Sequence, residues 1–81
     1  MSQLAPFVVY AFATTHDALG AERALIAAGV SHTTIPTPAS IGVLCGIALR
    51  VPELSVADAE AALKSAGSVW TARLEMSDRT G

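Results

Sequence analysis

The chain begins with a long apolar run, after which shorter apolar patterns alternate with polar positions to residue 76. Residues 7–13 are β-branched, aromatic or alanine, which predicts a strand that is buried on both faces and therefore central in a sheet. A helix is expected next, with Thr15 as its N-cap and Asp17 in its positive first turn. Gly29 ends this helix, and its apolar stripe comprises Ala18, Ala21, Leu25 and Ala28.

A polar edge strand, a loop and a third strand follow the first helix. Residues 30–35 have the mixed composition of an edge strand, which Pro36 and Pro38 bring to an end. Residues 39–46 include two glycines and predict a loop. Residues 47–51 are mostly apolar and predict a strand.

The last part of the chain predicts a second helix and a half-buried strand. Ser55 and Asp58 resemble a capping box at the start of this helix, and Gly67 ends it. Glu60 and Lys64 have the i, i+4 spacing of a surface ion pair. The final strand alternates between polar and apolar residues, and its apolar set comprises Trp70, Ala72, Leu74 and Met76.

The order βαββαβ indicates an α+β fold, the ferredoxin-like two-layer sandwich. In this fold a four-stranded antiparallel sheet carries two helices on one face. Right-handed crossovers put the first and third strands at its centre. We expect a single domain over residues 1–76 and a flexible polar tail over residues 77–81.

The sheet face without helices predicts an interaction surface. Side chains alternate between the two faces along the first strand. If Val8 and Tyr10 point toward the helices, then Phe7, Val9 and Ala11 point toward the face without helices. Uncovered apolar side chains of this size favour a homodimer or another partner. The alternative is a curled sheet whose tail residues fold across the face.

Composition narrows the classes of function. The net charge is −2 and only five residues are Lys or Arg, which is unlike a protein that binds nucleic acid. The apolar stretches are too short to span a bilayer, and the N-terminus does not resemble a secretory signal. A single cysteine predicts the reducing cytoplasm. Two separated histidines and one cysteine match no known metal-site spacing, so we expect no metal and no cofactor.

Cys45 is the candidate for covalent chemistry, because the thiolate is the nucleophilic form of cysteine. The predicted topology places it at one sheet edge beside Thr14, Thr15 and His16. A helix N-terminus or an imidazolium at that edge would favour the thiolate. The alternative is that Cys45 is a small buried hydrophobic residue.

Other residues have supporting roles in this hypothesis. Pro36 and Pro38 restrict the loop, and Gly46 leaves space beside the sulfur. Arg50 could attract an anionic sulfur species or pair with Glu22. Of the remaining candidates, we expect His32 at the surface and Trp70 in the core.

The motifs Pro36-x-Pro38, Cys45-Gly46 and Ala48-Leu49-Arg50 resemble the signature of a family of small bacterial proteins. This is the selenium/sulfur (Se/S) carrier protein-like family, and the resemblance covers nearly the whole chain. The resemblance implies a compact domain in which Cys45 carries sulfur or selenium.

The leading hypothesis is therefore a carrier that holds a persulfide or selenosulfide on Cys45 and hands it from a donor enzyme to an acceptor enzyme. A complete enzyme is not expected, because no catalytic triad, phosphate loop or carboxylate pair is present. The alternative is a non-catalytic interaction or regulatory module with a packed Cys45. A thiol redox module is a third possibility, but the chain has no resolving cysteine.

Overall fold

The secondary structure of residues 3–42 and 46–80 is described by a computed structural model, with side chains for 6–42 and 46–77. The elements in chain order are β1 (Gln3–Ala11), α1 (Thr15–Ala27), β2 (Thr33–Pro36), β3 (Ile47–Pro52), a 3-10 turn (Glu53–Ser55), α2 (Val56–Ser65) and β4 (Ala72–Thr80). All neighbouring strands are antiparallel, in the order β2-β3-β1-β4. This order confirms the predicted ferredoxin-like sandwich, with β1 and β3 at the centre.

The main core lies between the two helices and one face of the sheet. Alternation along β1 points Val8, Tyr10 and the following Phe12 toward the helices. The Trp70 ring packs against this core, and its centroid lies 5.0 Å from that of Tyr10 in an edge-to-face arrangement. The helices contribute the fully buried side chains of Ala18, Ala21, Leu25, Ala59 and Leu63, and β3 contributes those of Leu49 and Val51. In the part of the chain described, neither helix has the length and apolarity to cross a membrane.

The helix ends are set by local hydrogen bonds. Thr14, not the predicted Thr15, is the N-cap of α1, because its Oγ1 accepts a hydrogen bond of 3.0 Å from the Asp17 N–H. Gly29 ends α1 as predicted, with a φ of 70° that few other residues adopt. The Val30 N–H then donates to the Leu25 carbonyl at 2.9 Å, which completes the helix end.

The predicted capping box of α2 is wrong. Ser55 lies at the end of the 3-10 turn with a φ of −102° and a ψ of 0°, and its side chain makes no capping hydrogen bond. A serine cap needs an extended backbone to reach the first free N–H groups of the helix. The 3-10 turn instead leads directly into α2.

Several strand boundaries differ from the prediction. β1 begins and ends earlier than expected, and β2 begins at Thr33 rather than at residue 30 because Val30 belongs to the end of α1. Residues 77–80, expected to be a flexible tail, belong to β4 and pair with residues 3–6 of β1. Ladder hydrogen bonds between the two strands compensate for the polar composition of this segment. Gly81 lies outside the described residues.

The sheet face without helices is more covered than the sequence predicted. Phe7 is only 6% exposed and Val9 is fully buried within the single chain. Ile35, Ile41 and Leu74 pack against them. The sequence predicts a homodimer because large apolar side chains would be exposed on this face. Since they are buried within the single chain, that reason no longer applies, and the oligomeric state stays a prediction.

Candidate functional site

The predicted carrier thiol belongs to the loop between β2 and β3. Cys45 lies outside the described residues, together with Val43 and Leu44. The structure describes the loop up to Gly42 and again from Gly46. The geometry of these flanking segments is therefore what the fold contributes to the site.

The base of the loop is closed by the hairpin of β2 and β3. Pro36, the last residue of β2, pairs with Ile47, the first residue of β3. The Thr37 N–H then donates to the Gly46 carbonyl at 3.4 Å, one step beyond the ladder. These contacts fix both ends of the loop relative to the sheet.

Two overlapping turns shape the first half of the loop. The Pro38 carbonyl accepts a hydrogen bond of 3.0 Å from the Ile41 N–H, and the Ala39 carbonyl accepts one of 3.1 Å from the Gly42 N–H. Gly42 has a φ of 101°, a conformation that strains any residue with a Cβ. Gly42 therefore occupies a turn position that favours glycine.

Ile41 anchors the loop to the sheet. Its side chain is half-buried against Phe7, Val9 and Ala48, on the face without helices. The sequence reasoning missed this contact because nothing in a short loop indicates which side chain folds back. The only available signal was a large apolar residue among small and polar neighbours.

The start of β3 and the start of α1 share one sheet edge, as the predicted topology requires. Ala11 at the end of β1 pairs with Ala48, so the antiparallel register sets Gly46 opposite the residues that lead into α1. Thr15 and His16 are exposed in the first turn of that helix. The fold therefore brings Gly46 to the edge that carries Thr14, Thr15 and His16.

A shallow hollow lies at the same edge, between the two helices. It has a volume of about 290 Å³, and its lining includes His16, Asp17, Ser68 and the exposed Val69. The sequence reasoning did not predict it, because residues far apart in the chain form its wall.

Arg50 does not join this group of residues. Its guanidinium carbon lies 3.8 Å from the centroid of the Phe7 ring, on the face without helices. Phe7 pairs with Pro52, so the side chain leans toward the end of β3 that is remote from Gly46. At about 3.3 Å per residue, the Arg50 backbone itself is roughly 13 Å from that of Gly46.

Glu22 lies against His32 rather than Arg50. The His32 side chain is only 12% exposed, so its predicted surface position is wrong. Its Nδ1 donates to the Val30 carbonyl at 3.0 Å, and its Nε2 lies 3.4 Å from Glu22 Oε2. This contact joins the end of α1 to the chain that enters β2.

A polar cluster that the sequence reasoning missed lies between α2 and the sheet. The Tyr10 hydroxyl donates to Glu60 Oε2 at 2.7 Å, and Arg73 Nε donates to the same oxygen at 2.8 Å. Arg73 Nη1 also donates to Glu75 at 2.9 Å. Glu60 was expected to pair with Lys64, which instead acts on it only as a nearby charge.

The cluster has one stable arrangement of protons at neutral pH. The pKa of Tyr10 is raised to about 12, first because burial disfavours the phenolate and then because the hydroxyl donates to Glu60. The pKa of the Glu60 carboxyl is lowered, first by the Tyr10 hydrogen bond and then by Arg73. The pKa of Arg73 is raised by its bonds to Glu75 and Glu60. Tyr10 therefore stays neutral while Glu60 and Arg73 stay charged.

A hollow with a volume of about 900 Å³ lies beside this cluster. The hollow lies between α2 and β4, and its lining includes Glu53, Glu60, Arg73 and Glu75. None of these side chains is a nucleophile suited to carrying sulfur. The hollow lies near Met76, which pairs with Phe7. Ala72 lies at the opposite end of the strands, which is also where Gly46 lies.

Metal binding finds no support in the described part of the chain. Within residues 3–42 and 46–80, no three His, Cys, Asp or Glu side chains come together as a metal site would require.

Comparison with known proteins gives one match. A family model described as "Putative Se/S carrier protein-like" matches residues 8–73. The matched range includes the whole loop between β2 and β3. The chain matches no curated protein and no solved structure.

Proposed function

Because the chain belongs to the Se/S carrier protein-like family, we propose that it carries sulfur or selenium on the Sγ atom of Cys45. The observation that carries this proposal is the family match over residues 8–73, which includes the chain's one cysteine. Supporting residues are Gly46 beside the thiol and Pro36 with Pro38 in the loop.

The loading step is a transfer between persulfides. The Cys45 thiolate attacks the outer sulfur of a donor persulfide, R–S–SH, and a new S–S bond forms while the donor S–S bond breaks. The donor leaves as a thiolate and takes up a proton, so no external oxidant or reductant is needed. A selenosulfide forms in the same way when the outer atom of the donor is selenium. In the delivery step an acceptor thiolate attacks the terminal atom of the Cys45 persulfide or selenosulfide, a new bond forms to the acceptor sulfur, and the bond to Cys45 Sγ breaks to regenerate the Cys45 thiolate.

The arrangement of the flanking residues suits such a step. Gly46 is exposed, and the Thr37–Gly46 hydrogen bond with the Ile41 anchor holds the two sides of the loop to the sheet. The N-terminus of α1 lies at the same edge, and its partial positive charge favours a nearby thiolate. His16 lies exposed in that first turn.

A carrier of this kind needs two enzyme partners, a donor and an acceptor, and it needs no cofactor of its own. Oxidants convert a free thiol to a sulfenic acid or a disulfide, so the unloaded carrier thiol stays available in a reducing compartment, and we propose the cytoplasm. We assign Arg50 no part in the step, because its guanidinium lies over Phe7.

The first test is the rate of Cys45 alkylation against pH on the folded protein, read by intact mass. We expect fast reaction with a midpoint below about 8.5, the ordinary pKa of a free thiol. The variant Ile41→Ser removes the loop anchor, and its midpoint should move toward that of the free thiol. Ile26→Ser, at an exposed position on α1, is the matched control and should leave the midpoint unchanged.

The same measurement separates the carrier from a non-catalytic interaction module. A packed cysteine would react slowly in the folded protein and quickly only after unfolding in urea. That outcome would mean that Cys45 has only a packing role and that the domain acts by binding a partner through its surface.

A further inference from the structure

β4 is a long strand at the edge of the sheet. The strand order gives it β1 as its neighbour on one side, and it runs for nine residues without a proline. The other edge strand, β2, has only four residues and ends in Pro36. An edge strand of this length offers a row of backbone donors and acceptors to another strand.

The charges on β4 favour a second copy of β4 as its partner strand. Arg73 and Glu75 lie on the face of β4 that is turned toward α2, two residues apart. When β4 meets a second copy of itself antiparallel and centred on Leu74, Arg73 of each copy lies opposite Glu75 of the other. The four side chains then alternate in sign, and each arginine has a carboxylate beside it and another across from it.

The neighbouring registers are unfavourable. A shift of the partner strand by two residues in one direction puts Glu75 opposite Glu75, and a shift in the other direction puts Arg73 opposite Arg73. Like charges directly opposite each other destabilise a pair of strands. The charge pattern therefore favours the register centred on Leu74 over both of these alternatives.

The opposite face of β4 suits the same register. Leu74 of one copy lies opposite Leu74 of the other, and Ala72 lies opposite Met76. Met76 is 37% exposed in the single chain and would lose part of this exposure. The register thus pairs apolar residues on one face and opposite charges on the other.

We propose that two copies of this chain form a symmetric dimer by antiparallel pairing of β4 with β4, centred on Leu74. The two four-stranded sheets become one continuous sheet, and the contact is isologous. This proposal is independent of the proposed carrier role, because the contact uses neither Cys45 nor its loop.

The test exchanges the two charges between separate variants. In Arg73→Glu and in Glu75→Arg, like charges face each other in each self-pairing, so the dimer dissociation constant should rise about tenfold or more. In an equimolar mixture of the two variants, both facing pairs have opposite charges again. The mixture should form a dimer with an affinity near that of the wild type, measured by sedimentation equilibrium.

The controls are Lys64→Glu and Glu53→Arg, which make the same charge changes on α2 and before it. Both should dimerise as the wild type does, and circular dichroism checks that every variant is folded. If a charge variant does not fold, hydrogen exchange on the wild type replaces it. Amides of β4 should then be more protected at high protein concentration than at low concentration.

Several results would overturn the proposal. One is a wild type that stays monomeric at the highest soluble concentration, in which case the edge charges keep β4 unpaired. Another is a dimer that Arg73→Glu and Glu75→Arg leave unchanged. Others are a mixture of these variants that dimerises no better than either alone, and β4 amides whose protection does not depend on concentration.

Discussion

Replacing Leu63 by alanine should lower the free energy of unfolding by about 2–5 kcal/mol, because it removes a fully buried side chain from the core between α2 and the sheet. At roughly 0.05–0.15 kcal/mol per residue, a chain of 81 residues has a total stability of only about 4–12 kcal/mol. We therefore expect the variant to be close to its unfolding midpoint in mild urea. The fluorescence of Trp70, the single tryptophan, reports the transition.

Leu54→Ala is the matched control. Leu54 is 98% exposed in the 3-10 turn before α2, so the same substitution there should change stability by less than about 0.5 kcal/mol. Equal losses from the two variants would mean that α2 does not bury Leu63 against the sheet.

Raising the pH from 10 to 12 should lower the free energy of unfolding in step with the ionisation of Tyr10. The pKa of Tyr10 is raised from 10.0 to about 12, so folding favours the neutral hydroxyl. The resulting stabilisation is fully present below pH 10, and it is lost as the pH rises through about 12. A shift of this size corresponds to about 2–3 kcal/mol. Phenolate absorbance reports the ionisation of Tyr10 directly, because Tyr10 is the single tyrosine of the chain.

The contribution of Glu60 to this shift can be separated from that of burial. Burial is the largest cause and the hydrogen bond to Glu60 is the next, so Glu60→Gln should lower the Tyr10 midpoint part of the way toward 10. Glu53→Gln, which lines the same hollow, should leave the midpoint near 12. A Glu60→Gln titration curve identical to that of the wild type would contradict the assignment of the hydrogen bond.

The parts of the fold that periodicity encodes were predictable from the sequence. The apolar run after Pro6 predicted a central strand, and the stripes through Leu25 and Leu63 predicted the two helices. Gly29 and Gly67 marked the helix ends, where both have a positive φ. These features follow from local steric and hydrophobic rules, so a single sequence contains them.

Two of the errors arose where the partner of a residue is distant in the chain. Residues 77–80 have a polar composition, and only their pairing with β1 makes them part of a strand. Glu60 bonds Tyr10, which is fifty residues away, and so the local spacing to Lys64 was misleading. A signal was nevertheless available, because Glu60 follows Ala59 and lies four residues after Val56, beside the apolar stripe of α2.

The candidate site was predictable in its topology and only partly in its contacts. The sheet order confirms that the start of β3 meets the end of β1 beside α1. The stacking of Arg50 on Phe7 and the packing of Ile41 against the sheet both lie on the face without helices. Both contacts depend on how the loop and these side chains fold across that face. Neither contact has a fixed spacing in the sequence, and so no pattern could indicate it.

The most direct test of the carrier role is the mass of the intact protein after incubation with a cysteine desulfurase and cysteine, or with inorganic polysulfide, which needs no docking surface. We predict that the wild type gains one sulfur atom that dithiothreitol removes, and that Cys45→Ser gains none. A wild type that gains no sulfur from either donor, or a Cys45→Ser variant that gains as much as the wild type, would contradict the account.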